Sequence, residues 1–67
     1  MKITLNNMAD EFDANEITVD QLLALKNFTF KMLVVKLNGQ VIRKHEFETV
    51  TIKDGDEVAV IHLISGG

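Results

Sequence analysis

The 67-residue chain has room for one domain with a modest core, since a chain of this size buries only about 60% of the surface its unfolded form exposes. It contains no cysteine, which excludes disulfides, thiolate nucleophiles and thiolate metal sites, and its 46% apolar content excludes a disordered tail. Seven basic against ten acidic side chains give a net charge of −3, and the short Arg43-Lys44-His45 stretch is too small a basic cluster for phosphate-backbone binding, so nucleic acid is not an expected partner.

The first residues alternate, with Ile3 and Leu5 apolar between Lys2 and Thr4, the period of a half-buried strand. Asn6-Asn7 then offers a turn, because Asn tolerates positive φ, and a second strand is expected over residues 8–12. The N-terminus turns polar at once, unlike a signal peptide, and no run approaches the roughly 18 apolar residues that span a bilayer. A cytoplasmic address and no membrane partner follow as the expectation.

A helix is predicted to start at Thr18. Its hydroxyl can accept from the backbone N–H of Gln21 while the Gln21 side chain reaches back, a capping box, and Ile17 and Leu22 flank it as a hydrophobic staple. Asp20 sits near the positive helix end and Lys26 near the negative end, where the helix should stop. Val19, Leu22, Leu23 and Leu25 are expected to form its core-facing stripe.

Residues 32–37 are rich in β-branched and large apolar residues, and Asn38-Gly39 follows them, the strongest short-range hairpin signal. Val41 and Ile42 begin the returning strand. Residues 43–50 are irregular, with one short helical turn around Phe47. Asp54-Gly55-Asp56 is a further turn, and residues 57–64 read as the final and longest strand. The order strand, strand, helix, strand, short strand, long strand describes an α+β domain with one helix packed across a mixed sheet. Residues 1–64 would form this body and residues 65–67 a tail.

Catalytic groups are not apparent. His45 and His62 lack ligand-spaced partners, the single Ser65 lacks a nucleophile-elbow pattern, and Asp54-Gly55-Asp56-Glu57 lacks the spacing of a calcium loop. No catalytic residue, metal site or resident cofactor is expected, and the chain does not read as an enzyme. What remains is its end. Ser65, Gly66 and Gly67 can reach about 10 Å beyond the last strand, and two residues without a Cβ can thread a narrow channel. The Gly67 carboxylate is a poor electrophile until a partner enzyme, with ATP and magnesium, converts it to an acyl-adenylate. A sulfur nucleophile could then displace AMP and leave a thiocarboxylate. Gly67 would be the modified residue, with Gly66 and Ser65 giving access.

Alternation along the last strand separates Val58, Val60, His62 and Ile64 from Ala59, Ile61 and Leu63. Both sets are largely apolar, and one helix covers only one face. Ala59, Ile61 and Leu63, joined by Val34 and Lys36 of the neighbouring strand, are therefore the expected partner-binding set.

The strand Met1-Lys2-Ile3, the helix opening Ile17-Thr18-Val19, the run Val35-Lys36-Leu37-Asn38-Gly39-Gln40-Val41-Ile42, and Asp54-Gly55-Asp56-Glu57-Val58 with terminal Gly66-Gly67 together resemble the ThiS family, the sulfur carriers of thiamin biosynthesis. The resemblance implies the β-grasp, or ubiquitin-like, fold, a mixed four- to five-stranded sheet with one helix across it. It also implies three partners: an adenylyltransferase similar to ubiquitin-activating enzymes, a sulfur donor such as a cysteine desulfurase, and a thiazole synthase that takes sulfur from the Gly67 thiocarboxylate. Two alternatives share the fold: the sulfur-carrier subunit of molybdopterin synthase, and a ubiquitin-like interaction module or modifier without sulfur chemistry. Residues 28–31 and 43–49 carry no recognisable family pattern.

Overall fold

A computed structural model describes residues 1–29 and 32–62. Among the described residues, seven strands and one helix follow in the order β1 (Lys2–Leu5), β2 (Met8–Glu11), β3 (Glu16–Thr18), α1 (Val19–Leu25), β4 (Leu33–Leu37), β5 (Gln40–Ile42), β6 (Thr51–Lys53) and β7 (Glu57–His62), with a 3₁₀ turn at Lys44–Glu46. Five strands form one mixed sheet in the order β2-β1-β7-β4-β5, and β3 pairs with β6 in a separate two-stranded sheet.

Both hairpins of the large sheet close on residues with positive φ. Asn6 and Asn7 stand at 51° and 67°, and Asn38 and Gly39 at 51° and 86°. Two consecutive left-handed residues give a turn whose twist matches that of the strands it joins. The β4–β5 register, Leu37 to Gln40 and Lys36 to Val41, follows from that two-residue connection.

The helix begins as its sequence dictates. The Thr18 hydroxyl accepts from the Gln21 N–H at 3.1 Å, and the Gln21 side-chain oxygen accepts from the Thr18 N–H at 2.9 Å. Two more donors of the first turn are met from outside, Val19 N–H by the Val50 carbonyl at 3.0 Å and Asp20 N–H by that of Phe47 at 2.9 Å. The irregular 43–50 segment thus has a task, since the N–H groups that open a helix lack partners within it. At the other end Asn27, with φ of 59°, allows its own N–H to reach the Ala24 carbonyl and that of Phe28 to reach Leu23. This is a Schellman stop with asparagine in the place glycine usually takes.

Val19, Leu22 and Leu23 of α1 are buried against Ile3, Leu5, Val35, Val58 and Val60 of the large sheet, with Ile17 and Ile52 joining from the small one. Leu25 departs from the expected stripe and is 63% exposed. At about 100° per residue it lies well off the line through 19, 22 and 23. Lys26, the helix C-cap, instead pairs with Asp10 of β2 at 2.7 Å, tying the sheet edge to the helix end.

The small sheet was not expected. Its strands have three residues each, too short for alternation to stand out, and Ile17 and Ile52 face each other across 35 positions of sequence. Among the described residues, no helix is long and apolar enough to cross a membrane.

Candidate functional site

The strand that precedes the C-terminal tail is the centre of the large sheet. β4 runs antiparallel along one side of β7 from Leu37–Val58 to Leu33–His62. β1 runs parallel along the other side, but only at Thr4–Glu57 and Leu5–Val58. Where β1 ends, its turn continues the support. The Asn6 N–H donates to the Val58 carbonyl at 2.9 Å, and the Asn6 side-chain oxygen accepts from the Val60 N–H at 2.8 Å. One asparagine thus serves the turn through its backbone and the strand through its side chain.

The beginning of β7 is fixed more densely. The Asp54 carboxylate accepts from the Lys2 N–H at 2.7 Å, and the Gly55 N–H donates to the Lys2 carbonyl at 2.7 Å. Asp56 uses both oxygens, one for the Asn38 side-chain amide at 3.1 Å and one for the Lys53 N–H at 2.9 Å. Asn38 in turn accepts from the Glu57 N–H through its side chain at 2.9 Å and donates its own N–H to the Glu57 carbonyl at 2.7 Å. Gly55 has a φ of 86°, the left-handed region that suits glycine between two such anchored aspartates. The Asp54-Gly55-Asp56 turn and the Asn38-Gly39 turn are therefore two halves of one clamp that sets where β7 starts and how it points.

Alternation then divides the side chains of β7. Val58 and Val60 enter the core, whereas Ala59 is half-buried and Ile61 is 42% exposed on the opposite face. Val34 lies across from Ile61 and Lys36 across from Ala59, so four of the five expected partner-binding residues form two adjacent rows. The fifth, Leu63, lies outside the described residues, as do Ser65, Gly66 and Gly67. The rows extend one strand beyond Val34 and Lys36. Val41 of β5 pairs with Lys36 on this face and is 53% exposed. The two-residue Asn38-Gly39 connection was the signal that could have placed it there. A concavity of about 300 Å³ borders the face at the β1–β2 turn, between Asn6, Asn7, Lys36 and Glu57.

The chemistry of the described surface is plain. His45 and His62 are exposed, and no group of three or more metal-ligating side chains occurs among the described residues. Asp10 is held below its ordinary carboxylate value chiefly by its hydrogen bond from Lys26, a structural pairing far from the open face.

Comparison with known proteins gives a consistent result. The family model described as the ThiS family matches residues 3–67. The Sulfur carrier protein ThiS of Bacillus subtilis is 26% identical over 65 residues, which cover 97% of this chain and 98% of that protein. A protein named Thiazole synthase from Paramagnetospirillum magneticum is 28% identical over the whole of this chain, which spans only 20% of its length. Among solved structures, the crystal structure of the thiamine biosynthesis protein ThiS from Geobacter metallireducens superposes with a TM-score of 0.87 at 36% identity, over 100% of both chains.

Proposed function

The chain belongs to the ThiS family, and on that premise we propose that it carries sulfur for thiazole formation in thiamin biosynthesis, as a protein co-substrate rather than a catalyst. The observation that carries the reading is the extent of the family match, which runs through the last strand to Gly67 and so includes the Gly66-Gly67 end. The full-length likeness to the Bacillus subtilis carrier supports it.

The chemical cycle follows from what a carboxylate needs in order to accept sulfur. A Gly67 oxygen attacks the α-phosphorus of ATP on a partner adenylyltransferase, pyrophosphate leaves, and an acyl-adenylate forms. Magnesium and cationic groups of that partner offset the phosphate charge. Sulfide, or the persulfide of a donor such as a cysteine desulfurase, adds to the acyl carbon and AMP departs. In the persulfide case a thiol then reduces the acyl disulfide, taking the donor's sulfur into a mixed disulfide and freeing the thiocarboxylate. The resulting thiocarboxylate is the cargo. A thiazole synthase is the acceptor, a reading favoured by the Paramagnetospirillum magneticum protein of that name, part of which resembles this whole chain. A cycle that consumes ATP and handles reduced sulfur suits the cytoplasm.

In this scheme the folded body acts as a handle. The rows Val34–Ile61 and Lys36–Ala59, with Val41 beside them, dock on the partner. The five residues after His62 can reach about 17 Å to a remote active site. The test is intact-mass spectrometry after incubation with ATP, the adenylating enzyme and a sulfide source. The C-terminal peptide should gain the mass difference between sulfur and oxygen, and a chain lacking Gly67 should gain nothing while keeping its fold. An unchanged mass with an enzyme that activates a related carrier would refute the assignment.

A further inference from the structure

The clamp at the start of β7 contains the chain's one Asn-Gly pair. Asparagine before glycine is the dipeptide in which a backbone nitrogen most readily attacks the preceding carboxamide, because glycine has no side chain to shield its N–H. Asn6, Asn7, Asn15 and Asn27 are each followed by a bulkier residue. Asn38 is therefore the asparagine chemically disposed to lose ammonia, and it is also a central member of the clamp.

In that reaction the Gly39 nitrogen bonds to Cγ of Asn38 and gives up its proton, and Nδ2 leaves as ammonia. Water then opens the five-membered imide. Cleavage of the bond from nitrogen to Cγ gives aspartate. Cleavage of the bond to the main-chain carbonyl carbon gives isoaspartate, in which the chain runs on through Cγ. Water is the sole co-reactant.

Two features of the fold oppose ring closure. Asn38 and Gly39 have φ of 51° and 86°, the pair of a type I′ turn, in which ψ of the first residue is about 30°. That ψ sets the Gly39 nitrogen nearly opposite Cβ across the Cα–C bond, whereas the ring needs the two almost eclipsed. The carboxamide is also held at both ends, its Nδ2 donating to Asp56 Oδ1 at 3.1 Å and its Oδ1 accepting from the Glu57 N–H at 2.9 Å. Bringing Cγ to the Gly39 nitrogen breaks both bonds.

We propose that Asn38 is a gated deamidation site: it reacts only when the turn opens, and neither product can rebuild the clamp. Aspartate puts a second carboxylate oxygen where Nδ2 donates, facing Asp56 with like charge. Isoaspartate adds one atom to the backbone of the two-residue connection that sets Leu37 against Gln40 and Lys36 against Val41. Lys36 is paired with Ala59 as well, so the error reaches the outer rows. Opening of the turn is thereby converted, irreversibly, into a carrier that docks poorly. That last consequence rests on the sulfur-carrier reading, and the deamidation does not.

The test incubates the chain at mildly alkaline pH, either folded or unfolded in guanidinium chloride, and follows Asn38 by peptide mass spectrometry as the exchange of its NH₂ for OH. Asn38 should react at least ~10-fold faster in the unfolded chain, the ratio that two side-chain hydrogen bonds support. Asp56→Ala withdraws the acceptor from Nδ2 and should speed the reaction of the folded chain several-fold, with circular dichroism verifying the fold. Asn38→Asp reproduces one product and should lower Tm and speed exchange of the Glu57 amide. Equal rates in folded and unfolded parent, a folded Asp56→Ala chain that reacts no faster, or an Asn38→Asp chain that melts with the parent would each overturn the inference. The comparison of folded and unfolded parent needs no variant, so it decides even where Asp56→Ala does not fold. Neither ATP nor a partner enzyme is used, so the outcome is independent of the thiocarboxylate assay.

Discussion

Ile61→Asp places a carboxylate among the exposed apolar rows, and the structure fixes what this should cost. Full burial of an isoleucine contributes about 1.5–3 kcal/mol. Ile61 is 42% exposed, so losing its covered part costs about 1–2 kcal/mol. A chain of this length holds ~3–10 kcal/mol of stability, so the variant should remain folded with a reduced melting temperature. Docking should suffer more. If Ile61 is a central contact, its loss is worth about 2 kcal/mol or more, a rise in Kd of at least ~30-fold. Val60→Asp is the control on the neighbouring residue. Val60 is only 9% exposed and faces the helix, and an unpaired charge there costs several kcal/mol, enough to unfold the domain. Circular dichroism melts beside calorimetric titration with the adenylating enzyme or thiazole synthase separate the outcomes. Two results would refute the reasoning: an Ile61→Asp chain that binds like the parent, or one that unfolds like Val60→Asp.

Other substitutions test the elements that hold this face in place. Thr18→Ala removes the helix cap and should cost about 1 kcal/mol, read as a drop of roughly 4–8 °C in Tm. Gly55→Ala meets no atom within 4 Å, so its expected loss of about 1–2 kcal/mol arises from the backbone at φ of 86° alone; a steric clash would give more. Asn38→Gly keeps the turn but removes two side-chain hydrogen bonds, at about 1–3 kcal/mol, and should speed exchange of the Glu57 amide before that of the helix. Asp10 has its carboxyl below the ordinary 3.8, chiefly through Lys26. Its contribution is therefore complete above that value and is lost as pH falls through the lower folded one. Between about pH 5 and pH 2, the parent should lose more Tm than Asp10→Asn.

What could be read from the residues alone was local. The capping box spans four positions, and both positive-φ turns rest on adjacent residues, so each carries its own signal. The split of β7 into a core row and an outer row needed only alternation along one strand. What escaped depended on distance. Thr51–Lys53 makes sense as a strand only beside Glu16–Thr18, and its buried Ile52 has two polar neighbours and no longer pattern around it. Leu25 is apolar by type, but its angle on the helix turns it from the core. The pattern of Val41 marks a strand but not its side of the sheet, which depends on pairing with Lys36.

The division of labour along β7 follows from these contacts. Its start is held by Asp54, Asp56, Asn38 and the β1 backbone, and its middle by β4 and the Asn6 side chain. The parallel register with β1, however, stops at Val58. A strand fixed so firmly at its beginning and middle holds its outer residues Ala59 and Ile61 in register with Lys36 and Val34. In the proposed cycle the carrier must present its end reproducibly to several different active sites. Anchoring the base and the middle of the last strand accomplishes that with hydrogen bonds of backbone, carboxamide and carboxylate groups. Moving the clamp, as in Asn38→Gly, should therefore reduce transfer to every partner in common, whereas changes in the outer rows should weaken partners unequally.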